Sequence, residues 1–290
     1  MSTNLNLNKA KAVKNDEFYT QLTDVSRELM HYKAHFKDKV VYCNCDDPSW
    51  SAFWKYFHLN FSELGLKRLI ATFYDRENPV YKMEYTGGDD DNISAGIKTS
   101  LNGNGDFRNQ ECLDILDECD IVCTNPPFSL FREFVDALMK HEKKFLIIGN
   151  INACSYKKFF PLIRDNKVWI GSNRPSVFNT PEGTTVKLSG ITRWYTNLDL
   201  AKRHEKLILW KKYTADEYPK YDNYDAINVN RVCDIPADYD EVMGVPITYL
   251  DKHNPEQFDL IGTLRDSVQG KLLYARILIK GHAKGGDSHK

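Results

Sequence analysis

The sequence predicts an α/β fold: a mostly parallel sheet with helices on both faces and an antiparallel edge contributed by late strands. Three observations carry this prediction. Apolar, β-rich runs alternate with helical patterns from Lys39 to about Gly171, the rhythm that builds parallel sheets. Of the 290 residues, 42% are apolar and 27% charged, enough for one large core or one and a half. After about Gly171 the rhythm gives way to short strands and loops, from which the antiparallel edge is drawn.

The same numbers exclude several classes. No apolar run approaches the roughly 20 residues of a membrane span, and Met1–Asn8 lacks the apolar core of a signal peptide. A cytoplasmic protein with no membrane partner is expected. Seven cysteines is an odd number, and Cys43, Cys45, Cys119 and Cys123 fall on strand-like segments. They read as buried reduced thiols, with no metal site. The net charge of −1 hides a pattern: residues 157–212 hold twelve Lys/Arg against four acids, and residues 213–259 hold three against eleven. A basic block suits a phosphate backbone, or a solvated face balanced by the acidic segment.

Taken in order, residues 1–14 are polar and aperiodic, a flexible arm. Phe18-Tyr19-Thr20 precedes an amphipathic stretch from Leu22 to Phe36. Lys39–Cys45 reads as the first strand. Asp47 is the expected N-cap of the next helix, with Pro48 at its first position. Lys67–Asp75 is a strand ending in a carboxylate, which could take ribose hydroxyls or cap a turn. Val80–Tyr85 and Ala95–Thr99 flank Gly87-Gly88-Asp89-Asp90-Asp91, an inserted hairpin with an acidic tip. Asp106 is placed at the end of a third strand, with Phe107 beside it and a helix through Glu111 to Leu116. Strands follow at Lys143–Asn150, Lys167–Gly171 and Thr184–Leu188, with a helix from Ser155 to Arg164. The tail, residues 281–290, is Gly- and Lys-rich, a composition that does not fold.

The chain is organised around Asp120-Ile-Val-Cys-Thr-Asn-Pro-Pro-Phe-Ser129. A strand, Ile121–Cys123, runs into Asn125-Pro126-Pro127-Phe128, and a helical pattern follows from Leu130. Two consecutive prolines cannot sit inside a central strand or a helix interior, so they set an irregular turn at the strand's C-terminal end. In open α/β sheets that edge binds ligands. The Asn125 side chain and the Pro126 backbone offer two carbonyl acceptors, and Phe128 an aromatic face. They suit a planar ring with an exocyclic amino group, such as adenine with its N6.

Asn125-Pro126-Pro127-Phe128 resembles the catalytic motif of S-adenosylmethionine-dependent amino-methyltransferases. Cys45-Asp46-Asp47-Pro48 before an aromatic helix lacks the glycines of the usual cofactor loop, but is similar to the form this loop takes in the EcoRI-type adenine-specific DNA methyltransferases. Gly190–Leu198, Met243–Lys252 and Pro255–Asp259 also resemble that family. The resemblance runs from about Asn15 to about Ile279 and implies a Rossmann-like methyltransferase fold, S-adenosyl-L-methionine as cofactor and double-stranded DNA as partner. By its order of motifs, residues 15–170 form the cofactor-binding and catalytic core. Residues 171–280 supply late core strands and a target-recognition region.

The resemblance also implies the roles of individual residues. Phe18, Tyr19 and Thr20 would form a lid on the cofactor; Cys43, Asp46, Asp47 and Pro48 its loop. Asp75 would take its ribose, and Asp106, Phe107 and Asn125 would complete its site. Asn125, Pro126, Pro127 and Phe128 would be catalytic, and Arg174, Arg193, Lys202 and Arg203 would contact DNA. Adenine in RNA, a glutamine amide in a protein, or an inactive nucleic-acid-binding relic are the alternatives. No feature of the chain identifies a cognate restriction endonuclease.

Overall fold

The computed structural model describes residues 19–180, 184–188 and 190–282. The predicted arm (1–14), Phe18 and residues 283–290 of the predicted tail lie outside the described residues; for Tyr19 only the backbone is described. In chain order the elements are β1 (Tyr19–Thr20), α1 (Leu22–Leu29), β2 (Val40–Cys43), α2 (Ala52–Leu59), α3 (Phe61–Leu64), β3 (Arg68–Ala71), β4 (Tyr81–Tyr85) and β5 (Ile97–Ser100). There follow α4 (Gln110–Glu118), β6 (Ile121–Thr124), α5 (Phe131–Lys140), β7 (Lys144–Asn150), α6 (Phe160–Arg164), β8 (Trp169–Ile170), β9 (Val177–Asn179), β10 (Thr185–Lys187) and β11 (Thr192–Thr196). The chain continues with β12 (Ile227–Asn228), β13 (Met243–Pro246), β14 (Phe258–Leu264), β15 (Ser267–Val268), β16 (Lys271–Leu272) and β17 (Arg276–Gly281).

The described residues form two compact units, one within 19–151 and 171–199, the other within 152–170 and 200–282. The chain therefore passes between them at 151, 170 and 199, where the sequence suggested a single change near 170. In the first unit the main sheet runs β5-β4-β3-β2-β6-β7-β11. Its centre, β3-β2-β6-β7, is parallel. Strands buried on both faces read as continuous apolar runs, and β2 and β6 are buried along their whole length. The strands added on both sides of this parallel centre are antiparallel. The acidic-tipped hairpin adds β4 and β5 to β3, and β11 adds to β7 in the register Trp194↔Ile148. A mixed α/β architecture is thus observed, with antiparallel strands flanking the parallel centre.

Two local expectations change. The helix predicted from Asp47 starts later, because Ser51 Oγ accepts from the amides of Phe53 (3.1 Å) and Trp54 (3.2 Å) and is the N-cap of α2. Asp47 instead closes a turn, accepting from Ser49 N at 2.9 Å. Asp106 follows no third parallel strand; residues 101–109 are turns between β5 and α4.

Helix α1 fastens residues 171–176. Glu28, buried at 0% exposure, accepts from Ser172 N (2.7 Å), Asn173 N (2.6 Å) and Tyr32 OH (2.9 Å). Asp24 Oδ2 accepts from Ser176 N at 3.1 Å. This loop leads into β9, which pairs antiparallel with β1 (Thr20↔Phe178) and so sets the position of Thr20. In the second unit, β12-β13-β17-β14 form a sheet. The β15–β16 hairpin turns at Gln269-Gly270, whose amides both donate to the Asp222 carboxylate at 2.9 Å.

A Cβ at Gly171 would meet Glu28 Oε1 and, at 2.7 Å, Trp194 Cβ. Neither neighbour can retreat from a packed core. Gly171→Ala is therefore expected to lower unfolding free energy by about 1–3 kcal/mol, as measured by urea denaturation; an unchanged midpoint would contradict this packing.

Candidate active site

Three parallel strands, β2, β3 and β6, end at the same edge of the sheet, and the segments leaving them enclose a cavity of about 430 Å³. Asn44, Cys45, Asp46 and Asp47 leave β2, Phe73 to Arg76 leave β3, and Asn125 to Phe128 leave β6. Thr20 and residues 105–108 complete the wall. Gly105 sits at φ +74°, and a Cβ there would run into the Phe73 carbonyl oxygen. Only glycine lets the two walls approach this closely.

Asp46 is the most constrained group of the site, only 4% exposed. Its Oδ1 accepts from Ser51 Oγ at 2.8 Å, its Oδ2 from Thr124 Oγ1, and the Asn125 backbone N–H also donates to the carboxylate. Ser51 caps α2, and Thr124 and Asn125 end β6. One carboxylate therefore ties the loop after β2 to the turn after β6. Burial pushes its pKa up from 3.8 to about 6, opposed by the three donors.

The other carboxylates sit in wetter surroundings. Asp75 Oδ1 accepts from the amides of Glu77 (2.8 Å) and Asn78 (3.1 Å), and Oδ2 from Asn78 Nδ2 (3.0 Å), which hold its pKa below the ordinary range. It is a turn cap and a cavity wall at once. Asp106 is held by Arg108, with Nε at 2.9 Å and Nη2 at 2.7 Å, so its pKa is also lowered. Phe107 packs edge-on against Phe134, ring centroids 5.0 Å apart. Four carboxylates (Asp46, Asp47, Asp75, Asp106) and two guanidinium groups (Arg76, Arg108) line the cavity, and Arg108 is committed to Asp106 and Glu133. The balance favours a cationic guest.

Ten residues singled out in the sequence share this one wall: Thr20, Asp46, Asp47, Asp75, Asp106, Phe107, Asn125, Pro126, Pro127 and Phe128. Cys43 does not; it is fully buried in β2, and Cys45 lines the cavity in its place. Pro48 is likewise absent from the wall. Sequence reasoning missed Asn44, Trp50, Phe53, Tyr74, Arg76 and Arg108. Their signal was adjacency: Asn44, Tyr74 and Arg76 lie beside recognised strand ends, Arg108 beside Asp106, and Trp50 and Phe53 in the aromatic stretch after Pro48. The nucleic-acid candidates separate. Arg193 is 0% exposed in β11, its Nη1 donating to the carbonyls of Gly190 (3.2 Å) and Thr192 (2.7 Å), so it cannot reach a duplex. Arg203 lies over the Trp169 ring at 3.8 Å and donates to Asn166 Oδ1 at 2.7 Å, a packing role in the second unit. Arg174 is exposed and Lys202 partly so.

The Asn125–Phe128 turn thus stands at a parallel sheet edge on the wall of a cavity rich in carboxylates, the place where the sequence resemblance puts the catalytic turn of a methyltransferase. The family model of the EcoRI adenine-specific methyltransferases matches residues 6–288. The Type II methyltransferase M.EcoRI of Escherichia coli is 48% identical over 96% of this chain and 97% of its own. M.MgeORF184P of Mycoplasma genitalium and M.MpnI of Mycoplasma pneumoniae, also Type II methyltransferases, are each 35% identical over 94% of this chain and 98% and 97% of theirs. No solved structure matches. The chain belongs to the EcoRI family of adenine-specific methyltransferases.

Protonating Asp46 removes acceptor capacity for Thr124 and Asn125. The rate constant for methyl transfer is expected to fall as pH drops through about 6. Asp46→Asn should be slow at every pH and lose that inflection. Because the pKa is raised on folding, Asp46 contributes to stability below its unfolded value and loses that contribution as pH rises through about 6; the acid loss of rate is thus not unfolding caused by this group. An unchanged inflection in Asp46→Asn would assign it to another group.

Proposed function

We propose that the protein transfers a methyl group from S-adenosyl-L-methionine to N6 of an adenine flipped out of double-stranded DNA, on a Rossmann-like methyltransferase fold, in the cytoplasm, as the modification half of a restriction–modification pair. The observation that carries this reading is the Asn125-Pro126-Pro127-Phe128 turn opening into the same cavity as the carboxylate loop of β2.

The residues present fit the donor. Thr20 Oγ1 and Asn44 Oδ1 are buried on the wall with no hydrogen-bond partner among the described residues. Buried polar atoms are rarely left so, and a polar guest would satisfy them. Asp75 keeps acceptor capacity for ribose hydroxyls beyond its turn bonds, Phe107 offers an apolar surface to a purine, and the excess of carboxylates suits a sulfonium and an ammonium. S-adenosylmethionine supplies an electrophilic methyl group on a positively charged sulfur.

This chain's own contribution is to present the nucleophile. Adenine N6 inside a duplex is out of reach, and flipping the base costs a few kcal/mol. Phe128 would stack on the ring while Asn125 Oδ1 and the Pro126 carbonyl accept the two N–H bonds. Those acceptors draw electron density onto a nitrogen whose lone pair otherwise delocalises into the ring. They also oppose the positive charge that develops as it is alkylated. Asp46, through the Asn125 amide, holds the acceptor turn in place. Holding nucleophile and methyl carbon at near-attack distance would supply most of the rate, with no covalent enzyme intermediate.

The test is transfer of labelled methyl from S-adenosylmethionine to unmethylated genomic DNA, followed by digestion to nucleosides. N6-methyladenine is the expected product. Label confined to RNA or to protein would overturn the DNA reading. Asn125→Ala should lower the rate by at least about 10²-fold while donor binding, read by calorimetry, stays within a few-fold of wild type. Near-wild-type turnover in that variant would overturn the mechanism.

A further inference from the structure

The second unit carries an exposed segment to which the reaction assigns no role. From Leu207 to Lys212 exposure alternates: Leu207, Leu209 and Lys211 are half-buried, while Ile208, Trp210 and Lys212 are exposed, as is Lys206 before them. A period of two puts alternate side chains on one face of an extended chain, so the outward face reads Lys206, Ile208, Trp210, Lys212. The segment is fastened from behind. Leu207 N donates to Gln257 Oε1 (2.8 Å) and Leu207 O accepts from Gln257 Nε2 (2.9 Å). Lys211 O accepts from Ala237 N (2.8 Å), and Tyr213 N donates to Asp238 Oδ1 (2.7 Å).

The charges sort in the same way. Lys211 meets the local acids, with Nζ 3.5 Å from Asp234 and 3.9 Å from Glu217, and lies 5.6 Å from the centroid of the Trp210 ring, whose exposed remainder faces outward. Neither Lys206 nor Lys212 forms an ion pair with a described residue. Between them Ile208 is 89% and Trp210 68% exposed. Single exposed apolar residues are ordinary. Two large ones in succession on the outward face of a fastened segment, with a lysine on either side, form a patch that calls for a partner.

We propose that this face is a DNA-contacting ridge, with Lys206 and Lys212 on backbone phosphates and Ile208 and Trp210 between them against sugars and bases. At about 3.3 Å per extended residue the two lysines stand at most about 20 Å apart, a reach of several nucleotides. Apolar side chains set between cationic anchors are how many proteins press on base steps, and an indole face accepts any base. The ridge deepens the DNA reading above and rests on it.

The experiment uses the full-length protein, a 20-base-pair duplex and acrylamide quenching of tryptophan fluorescence. Of the five tryptophans, Trp54 and Trp194 are 0% exposed, Trp169 is half-buried, Trp50 is 37% and Trp210 68% exposed, so Trp210 is the one most open to quencher, and the Trp210→Ala difference isolates its share. Duplex should protect that emission, and Trp210→Ala should remove the protected component and weaken duplex binding by about tenfold. Lys206→Ala and Lys212→Ala should each lower the slope of log affinity against log salt by about 0.9. Donor binding should stay unchanged in all three, which separates the effect from misfolding. Duplex binding with unaltered affinity and salt slope in the variants would overturn the ridge alone. A wild-type protein that binds no duplex at any salt concentration would overturn the ridge and the DNA reading together.

Discussion

A single buried carboxylate sets the geometry on which the rest of the site depends. Asp46 leaves β2 at the sheet edge and accepts from Ser51, Thr124 and the Asn125 amide. An ionised carboxylate with three donors is a costly group to bury, and its raised pKa records that cost. The return is positional. The loop after β2 and the turn after β6 cannot drift apart without stranding a charge. In the proposed reaction these are the platforms for donor and acceptor base, and this bond set would tie them together.

The surrounding structure serves that arrangement. Parallel pairing of β3, β2, β6 and β7 brings three strand ends to one edge, and Gly105 allows the 101–109 turns to close against Phe73. Thr20, on the cavity wall, is fixed indirectly: Glu28 holds residues 172–173, these lead to β9, and β9 pairs with β1. Carboxylates outnumber guanidinium groups on the wall, and one guanidinium is spent on Asp106. The cavity's field therefore favours a cationic guest, as the proposed donor is, before any specific contact is made.

Much of this was legible in the sequence because the relevant signals are local. Two prolines after Ile121-Val122-Cys123 can only be a strand end, and alternation around Gly87-Gly88 can only be a hairpin. The site's spine, from Asp46 to Phe128, could be read from such strand ends. What escaped depends on contacts far apart in the chain. Asp47 and Ser51 both suit an N-cap, and tertiary placement of the helix chose Ser51. Arg193 reads as a surface cation, yet β11 is covered on both sides, and its guanidinium is satisfied by neighbouring carbonyls. Of the crossings at 151, 170 and 199, that near 170 coincides with the loss of βα rhythm, and the other two leave no compositional mark. The role of Asp46 is likewise invisible locally, since Thr124 lies 78 residues away.

The most direct test is a double-mutant cycle on the single-turnover rate of methyl transfer, pairing Asp46→Ala with Thr124→Val. If Thr124 acts by holding Asp46, Thr124→Val slows the reaction in the wild-type background and adds nothing further once Asp46 is alanine. The coupling should then fall within the ~0.5–3 kcal/mol typical of residues in one network. Equal slowing by Thr124→Val in both backgrounds would mean the two residues act independently, and the carboxylate would not be the tie between donor loop and acceptor turn.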